Sequence, residues 1–498
     1  MRARTTLVVV AMSVVFVVVA LWAFARDHWG GVYDEAFIDL RYVRNLQAGC
    51  GLRFNCDGPA VEGFTGPLYL AVLWIGGLIT RQLIDLTQIV GTVSLGLALV
   101  LAVVTAAVAG RHRPALQLPA VLAGSVALAL ALDHFVLQNA ITGLETALLS
   151  AVVTALGLAA VTGRRWLLVA AICAGVLVRP EILVFAVALP ILPAMRRPRY
   201  LAAVAGLVAA LAIARYGVFG ALAPNTHYAR SGGTWRHVEL GLAYILGAVA
   251  DFPLAFLAPL ALALPAGPLR RACGFLVAGS AAWIALLLRS GGDAFAYSRL
   301  VFPLVPVLSA VALAGIAELA RRITRRELAA AITPVVCALA FAGRAAVVHT
   351  IPAQHASPRV VEWAAVGSYL RARHPAATVA TAAIGAIGYY SQLPILDLTG
   401  STEPEIARAG RRVPPAQLVR RWLGHERHCT ECVLARGPAL IVTTLHRDRA
   451  WSELAETAGG YYAEALLVDE IKAGRAPYRV LDAEVAPGDH VLMFERIR

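Results

Sequence analysis

Long apolar runs, separated by short arginine-rich or acidic breaks, fill the first 348 residues of this 498-residue chain. Leu7–Ala25 is long enough to cross roughly 30 Å of hydrocarbon as a helix. Comparable runs predict spans at 7–25, 88–109, 116–133, 144–162, 166–178, 181–195, 200–220, 240–264, 272–289, 300–318 and 329–348, about eleven crossings. The pieces 166–178 and 181–195 are short for a bilayer and are expected to be tilted or broken at Pro180, their freed backbone facing protein or a cavity. Residues 67–83 are apolar too, but a crossing there would break the alternation, so this segment reads as re-entrant or interfacial. Leu7–Ala25 lacks a small-residue cleavage site and runs into Arg26-Asp27-His28-Trp29, the pattern of an uncleaved first span.

After residue 349 the pattern changes to mixed polar and apolar positions. Strand-like runs occur at Thr378–Ala382, Ile395–Leu398, Ala439–Thr444, Tyr478–Val485 and His490–Glu495, and helix-like runs at Pro358–Arg373, Pro415–Gly424 and Arg449–Ala458. Their alternation predicts a small α/β domain. The expected organisation is a membrane domain over 1–348, with an external loop at 26–66, followed by an α/β domain over 349–498.

Composition agrees with a polytopic α-helical membrane protein: 59% of residues are hydrophobic, 15% are charged, and the mean hydropathy is +0.69. The net charge of +13 lies in loop arginines, so it follows the positive-inside rule and does not call for a nucleic-acid partner. Placing Arg111-His112-Arg113, Arg164-Arg165, Arg196–Arg199, Arg270-Arg271 and Arg321–Arg326 in the cytoplasm puts the remaining polar motifs outside the cell. These are Asp34-Glu35, Thr142–Thr146 with Glu145, Arg179-Pro180-Glu181, Pro224–Arg230, and Gly291–Asp293 with Arg299. Each has a plain structural alternative, such as helix capping for Glu145, an internal ion pair for Arg179 and Glu181, or a turn for Asp293. Their convergence on one membrane face points to a site in a plasma-membrane, multi-pass protein.

By that topology two cysteine pairs, Cys50 with Cys56 and Cys429 with Cys432, lie in an oxidising compartment, where disulfides are expected. His425 and His428 beside Cys429 and Cys432 keep a zinc site open as the alternative for the second pair. Cys173, Cys273 and Cys337 fall in apolar spans and read as core residues.

An acidic pair just past a membrane span suits proton abstraction from a hydroxyl, one carboxylate taking the proton while the other orients it or holds a divalent cation. The run Asp34–Leu46, then Gly51–Asn55 and Val61–Leu68, resembles the first external loop of GT-C membrane glycosyltransferases, and more narrowly the mycobacterial terminal arabinofuranosyltransferase family. Thr142–Thr146, Arg179–Glu181, Pro224–Arg230, Gly291–Asp293, Ile384–Tyr390 and Asp397–Arg408 continue the resemblance in order. Glu35 stands where that family has a second Asp, His227 where an aromatic is usual, Arg230 where Lys is common, and the Cys50/Cys56 pair is unfamiliar.

The resemblance implies a polyprenyl-phosphate-linked sugar donor, decaprenyl-phosphoryl-arabinofuranose, and a cell-wall polysaccharide acceptor. Asp34 would be the general base and Glu35 its orienter or a cation ligand. Arg230, His227 and Asn225 would receive the lipid phosphate, with Arg41 and Arg179 as second candidates. Glu145, Glu181, Asp293 and Tyr228 would meet sugar or acceptor hydroxyls. A mannose-type donor, or a transporter for a lipid-linked sugar, are the alternatives; the second would show internal repeats and mid-membrane polar sites, and neither is evident.

Overall fold

In a computed structural model the apolar runs form helices, and residues 2–111, 118–230, 232–323, 358–446, 460–486 and 489–497 are described. The chain divides into two compact units. The first contains Met1–Gly31, Asp85–Ala210 and Gly241–His355; the second contains Val32–Ile84, Leu211–Leu240 and Ala356–Arg498. Residues 356–498, which read from composition as part of a separate domain, thus share a unit with 32–84 and 211–240.

The helices of the first unit are α1 (Arg2–His28), α4 (Leu83–Arg111), α5 (Leu118–Ala131), α6 (His134–Ile141), α7 (Thr146–Thr162), α8 (Arg165–Val178), α9 (Leu183–Ala188), α10 (Pro198–Phe219), α12 (Trp235–Asp251), α13 (Pro253–Phe256), α14 (Pro268–Ser290) and α15 (Val305–Ile323). Both α10 and α12 run on across the unit boundary. Among the described residues, five helices are long and apolar enough to cross a membrane, or seven if each of two bent pairs is one span. Hydropathy predicts about eleven; one of those spans lies outside the described residues, some form shorter apolar helices such as Thr146–Thr162, and others are broken at prolines and polar residues. Arg179 is extended because Pro180 follows it, and this ends α8. The stretch beyond is cut into short turns at Pro180, Pro190 and Pro193. The predicted span 240–264 bends by 108° where Pro253 starts a new helix. The run 116–133 bends by 64° into α6, which Asp133 caps by accepting from the amides of Phe135 and Val136. The predicted span 329–348 lies outside the described residues.

The core of this unit is α15, which is buried along nearly its whole length. Glycines bring its neighbours close: a Cβ on Gly157 of α7 would overlap Val307, and one on Gly315 would overlap the backbone at Leu260 and Ala261. By contrast, α1 and α10 expose Leu7, Val8, Val15, Leu201 and Ile213, which suits lipid contact.

The second unit holds α2 (Asp34–Gln47), α3 (Pro67–Gly77), α11 (Asn225–Ala229), α16 (Pro358–Arg373), α17 (Ile384–Ser391), α18 (Pro404–Ala409), α19 (Thr430–Arg436) and α20 (Tyr462–Lys472). Eleven residues rise only about 16 Å, so α3 is too short to span, as the re-entrant or interfacial reading of 67–83 requires. A five-stranded sheet runs in the order β2 (Ile395–Asp397), β1 (Val379–Thr381), β5 (Leu440–His446), β7 (Asp489–Arg496), β6 (Tyr478–Ala486). The β1 strand is parallel to β2 and β5, and β7 is antiparallel to β5 and β6. All of β1 is buried, as a central parallel strand should be. One face of the sheet packs Leu396, Ile441, Leu492 and Phe494 against Leu467, Val468 and Ile471 of α20.

Each predicted strand has an observed counterpart, and the predicted helix Pro358–Arg373 is α16. The predicted helix Pro415–Gly424 is only two 3₁₀ turns, Pro415–Gln417 and Arg420–Trp422, anchored by Leu418, Trp422 and Leu423. A short antiparallel pair, β3 (Arg411–Arg412) with β4 (Arg427–His428), flanks them. The predicted helix Arg449–Ala458 lies outside the described residues. The external loop 26–66 contains a helix that hydropathy alone did not predict, α2.

Candidate functional site

The site in the second unit is built on α2. Tyr33 is extended, and the helix begins at Asp34 with two carboxylates in its first turn, where they complement the helix dipole. Ala36, Phe37, Leu40 and Val43 form its buried face. That face lies against α17. A Cβ on Gly385 would overlap the Asp34 carbonyl oxygen, and one on Gly388 would stand 2.6 Å from Arg41 Nη1. These glycines let the two helices approach to backbone distance.

Asp34 uses the approach to cap its neighbour. Its Oδ1 accepts the Ala386 amide at 2.7 Å and its Oδ2 accepts the Gly385 amide at 3.1 Å, two of the orphan donors that start α17. Burial pushes its carboxyl up to about 6, against the pull of these two amides.

Glu35 is one residue on and points elsewhere. Its Oε1 lies 3.9 Å from His425 Nε2. The His425 ring packs edge-on against Tyr461 with centroids 5.0 Å apart, and its Nδ1 is 3.4 Å from Thr399 Oγ1. Burial, then the nearby charges of Glu35 and Asp34, hold the Tyr461 hydroxyl well above its ordinary range. Thr399 is fixed by Asp397, fully buried at the end of β2. Asp397 accepts from the Thr399 amide and hydroxyl at 2.8 Å each, from the Gly400 amide at 3.1 Å and from the Thr402 amide at 2.7 Å. The turn that follows β2 is therefore a rigid support for His425.

Arg230 follows α11 and is exposed. Its Nε sits 3.7 Å from where a Cβ of Gly424 would be, and Gly424 adopts φ +87°, a backbone conformation that favours glycine. The dipeptide Gly424-His425 thus meets Arg230 at one residue and Glu35 at the next. His227 is exposed against Tyr228, and Tyr228 lies under the Arg408 guanidinium at 5.2 Å.

Two expected phosphate ligands are committed elsewhere. The Asn225 amide donates to the Gly400 and Ser401 carbonyls at 2.7 and 3.1 Å. Arg41 is buried and donates to the carbonyls of Phe54, Gly388 and Leu393, each at 2.7 Å, and to Asn55 Oδ1 at 2.9 Å; burial lowers its pKa to about 10. Both hold the framework together. Glu62, unremarked by sequence reasoning except within a motif, receives Arg215 Nε at 2.8 Å in a buried ion pair.

The other predicted residues lie in the first unit. Arg179 is buried between Glu145, 2.7 Å from Nη1, and Glu181, 2.8 Å from Nη2. Asp293 pairs with Arg299, whose guanidinium covers the Phe295 ring at 4.3 Å. Tyr297 and Ser298, between them, take left-handed conformations at φ +59° and +45°, a strained turn for non-glycine residues.

Cys50–Cys56 and Cys429–Cys432 are disulfide-bonded, with Cα atoms 5.1 and 5.3 Å apart. The second bond removes both thiolates from a zinc set. His428 packs on Tyr462, with burial lowering its pKa, while His425 faces Glu35. Cys173 and Cys273 are free, and Cys337 lies outside the described residues. Both Asp34 oxygens face amide hydrogens, which leaves Glu35 as the carboxylate of the pair not engaged by α17. No group of three or more His, Cys, Asp or Glu side chains able to hold a metal occurs among the described residues.

His425 and Tyr461 were the residues that sequence reasoning missed as partners of Glu35. They lie 390 and 426 positions away, and only the fold brings them to it.

Residues 350–485 match the family described as "Domain of unknown function (DUF8728)". The chain is 29% identical over 337 residues to the terminal beta-(1->2)-arabinofuranosyltransferase of Corynebacterium glutamicum, a match covering 58% of this chain and 48% of the relative. It therefore spans about half the length of that curated relative. ArnT from Cupriavidus metallidurans in the apo state is similar in fold, with a TM-score of 0.55 at 14% identity, covering 98% of each chain. The structure of the same protein bound to undecaprenyl phosphate gives 0.52 at 13% identity, covering 98% of this chain and 97% of that one. In fold the chain is thus similar to ArnT, and in sequence, over 337 residues, to an arabinofuranosyltransferase.

Proposed function

We propose that this protein is a membrane glycosyltransferase that moves D-arabinofuranose from decaprenyl-phosphoryl-arabinose to a hydroxyl of a cell-wall glycan, at the extracytoplasmic face of the plasma membrane. The likeness to an arabinofuranosyltransferase supports the sugar, and the fold shared with a protein solved with undecaprenyl phosphate supports a polyprenyl-phosphate donor. The observation that carries the reading is the Gly424-His425 dipeptide, which sets a cation, Arg230, and a carboxylate, Glu35, at adjacent residues.

In this reading Glu35 takes the proton from the acceptor hydroxyl. His425 orients it and balances its charge. Arg230 stabilises the polyprenyl phosphate as it leaves, which requires positive charge and no proton. Asp34, with both oxygens on α17, positions α2. Glu145 and Glu181 hold Arg179, and Asp293 holds Arg299, in ion pairs within the first unit.

The test is transfer by purified protein from decaprenyl-phosphoryl-arabinose to an oligoarabinan acceptor. Glu35→Gln is expected to lower turnover by roughly 10²–10⁴-fold while leaving donor binding intact. Arg230→Ala is expected to raise the donor KM and lower kcat together. Near-normal turnover of Glu35→Gln with a dead Asp34→Asn would exchange the roles of the pair. Absence of transfer from any polyprenyl-phosphate sugar by the wild type would end the enzyme reading.

A further inference from the structure

A cavity lies in the same unit along the stretch of α2 that carries Arg41, Arg44 and Asn45. It has a volume of about 420 Å³, within the range of small-molecule sites, and is lined by Arg44, Asn45, Asp57, Gly58 and Gln392 among others. Nothing in the chemistry described above uses it. Ten residues separate Asp34 from Arg44 along α2, a rise of about 15 Å.

Its walls are preset. The Cys50–Cys56 disulfide anchors the residue immediately before Asp57 and Gly58, and Arg53 Nη1 donates to the Cys56 carbonyl at 3.4 Å. Arg44 lies over the Tyr389 ring at 3.8 Å and donates from Nη1 to the Tyr389 carbonyl at 2.7 Å. The Gln392 amide, with its oxygen toward the guanidinium groups, accepts from Arg44 Nη1 at 2.8 Å and Arg371 Nη1 at 3.2 Å, which turns its NH₂ outward. Gln392 holds that pose in a left-handed conformation, φ +58°.

The charges decide the ligand class. Arg44 and Asp57 line the same cavity with amides between them, beside Arg41, whose guanidinium is already spent on the Phe54, Gly388 and Leu393 carbonyls and on Asn55 Oδ1. A phosphate would gain Arg44 but meet Asp57, and a cation would meet the reverse. A neutral polyhydroxyl compound suits both, because each hydroxyl can donate to the carboxylate and accept from the guanidinium or the Gln392 amide.

We propose that this cavity is an acceptor subsite that binds a sugar unit of the glycan, about 15 Å along α2 from the acidic pair. The proposal rests on the glycosyltransferase reading above. The disulfide fixes the subsite before binding, so little ordering cost falls on the acceptor.

The experiment compares a short acceptor, an alkyl arabinofuranoside, with an oligoarabinan long enough to span both places. Two variants are used: Asp57→Ala, and Ala48→Trp, which places a bulky ring in the cavity from the exposed end of α2. Both are expected to raise the KM for the long acceptor about tenfold, with the KM for donor unchanged and the KM for the short acceptor unmoved. Saturation-transfer NMR without donor should show contact of the oligoarabinan with the wild type and its loss in Ala48→Trp. Equal KM changes for short and long acceptors, or none in either variant, would overturn the subsite while leaving transfer itself intact. If the wild type transfers to neither acceptor, the glycosyltransferase reading fails, and NMR contact then decides the subsite alone.

Discussion

Replacing Asp34 by Asn separates the two forces acting on that carboxyl. In the wild type each oxygen accepts one amide of α17. An Asn side chain offers one oxygen and one NH₂, so whichever way it turns, one amide of α17 faces a donor. A buried donor left unpaired costs about 1–3 kcal/mol. Against this stands the burden of burying the ionised carboxylate. Moving its pKa from 3.8 to about 6 corresponds to at most about 3 kcal/mol, reduced in practice because Asp34 is only half-buried. Because the folded-state pKa is raised, the stabilising contribution is complete below the unfolded pKa near 3.8 and is lost as pH rises through about 6. Asn carries no such loss. Near pH 4 the variant is therefore expected to melt below the wild type by the capping cost alone. By pH 7.5 the gap should close or reverse, a relative gain of up to about 3 kcal/mol. The assay is thermal unfolding of both proteins in detergent from pH 4 to 8, reading the difference in midpoints. A difference independent of pH would show that burial does not raise this carboxyl. A difference that grows against the variant as pH rises would show that the two amides win and depress the pKa instead.

Gly385→Ala, whose new methyl would overlap the Asp34 carbonyl oxygen, should force α2 and α17 apart. It is expected to cost about 1–3 kcal/mol in melting stability and to lower transfer with it, while Gly206→Ala, at a site with open space, should do neither. Cys50→Ser with Cys56→Ser opens a loop with a sequence separation of 6. The expected loss is about 2 kcal/mol, seen as a lower melting temperature that reductant no longer changes. Glu464 is fully buried, and burial pushes its carboxyl up to about 7 while the Thr444 hydroxyl and amide and the Tyr461 amide pull against it. Its stabilising contribution is expected to fall as pH rises through about 7, and Glu464→Gln should flatten that slope in the same melting series.

The membrane helices and the sheet were legible because each rests on local periodicity. Central strands such as Val379–Thr381 are short apolar runs between turns, and α16 shows a helical repeat starting at Pro358. What fell short depended on partners distant in sequence. The run Pro415–Gly424 has helix-forming residues, yet Trp422 and Leu418 are drawn into a small core of their own, and the chain turns twice to deliver them. The breaks at Pro180 and Pro253 were visible as prolines, but the sequence does not show that the chain would bend by 108° at the second. Arg41 looked like a phosphate ligand because it is an arginine in a motif, and only its carbonyl partners at 54, 388 and 393 show it to be a brace.

The acidic pair shows the same limit most sharply. Read as an external loop, Asp34 and Glu35 are interchangeable neighbours that can share one proton. Read as the first turn of a helix, they cannot be, because successive side chains leave the axis about 100° apart. The one that faces α17 must meet its amides, and the glycines at 385 and 388 exist in a register that lets it do so. The other is left facing Tyr461 and His425. A division of labour within the pair thus follows from the helix itself: whichever carboxylate performs chemistry, its neighbour is held on another face, and the residue that completes the site has to come from elsewhere in the chain. His425, which meets Thr399 of the turn that Asp397 makes rigid, is the residue the fold brings to Glu35.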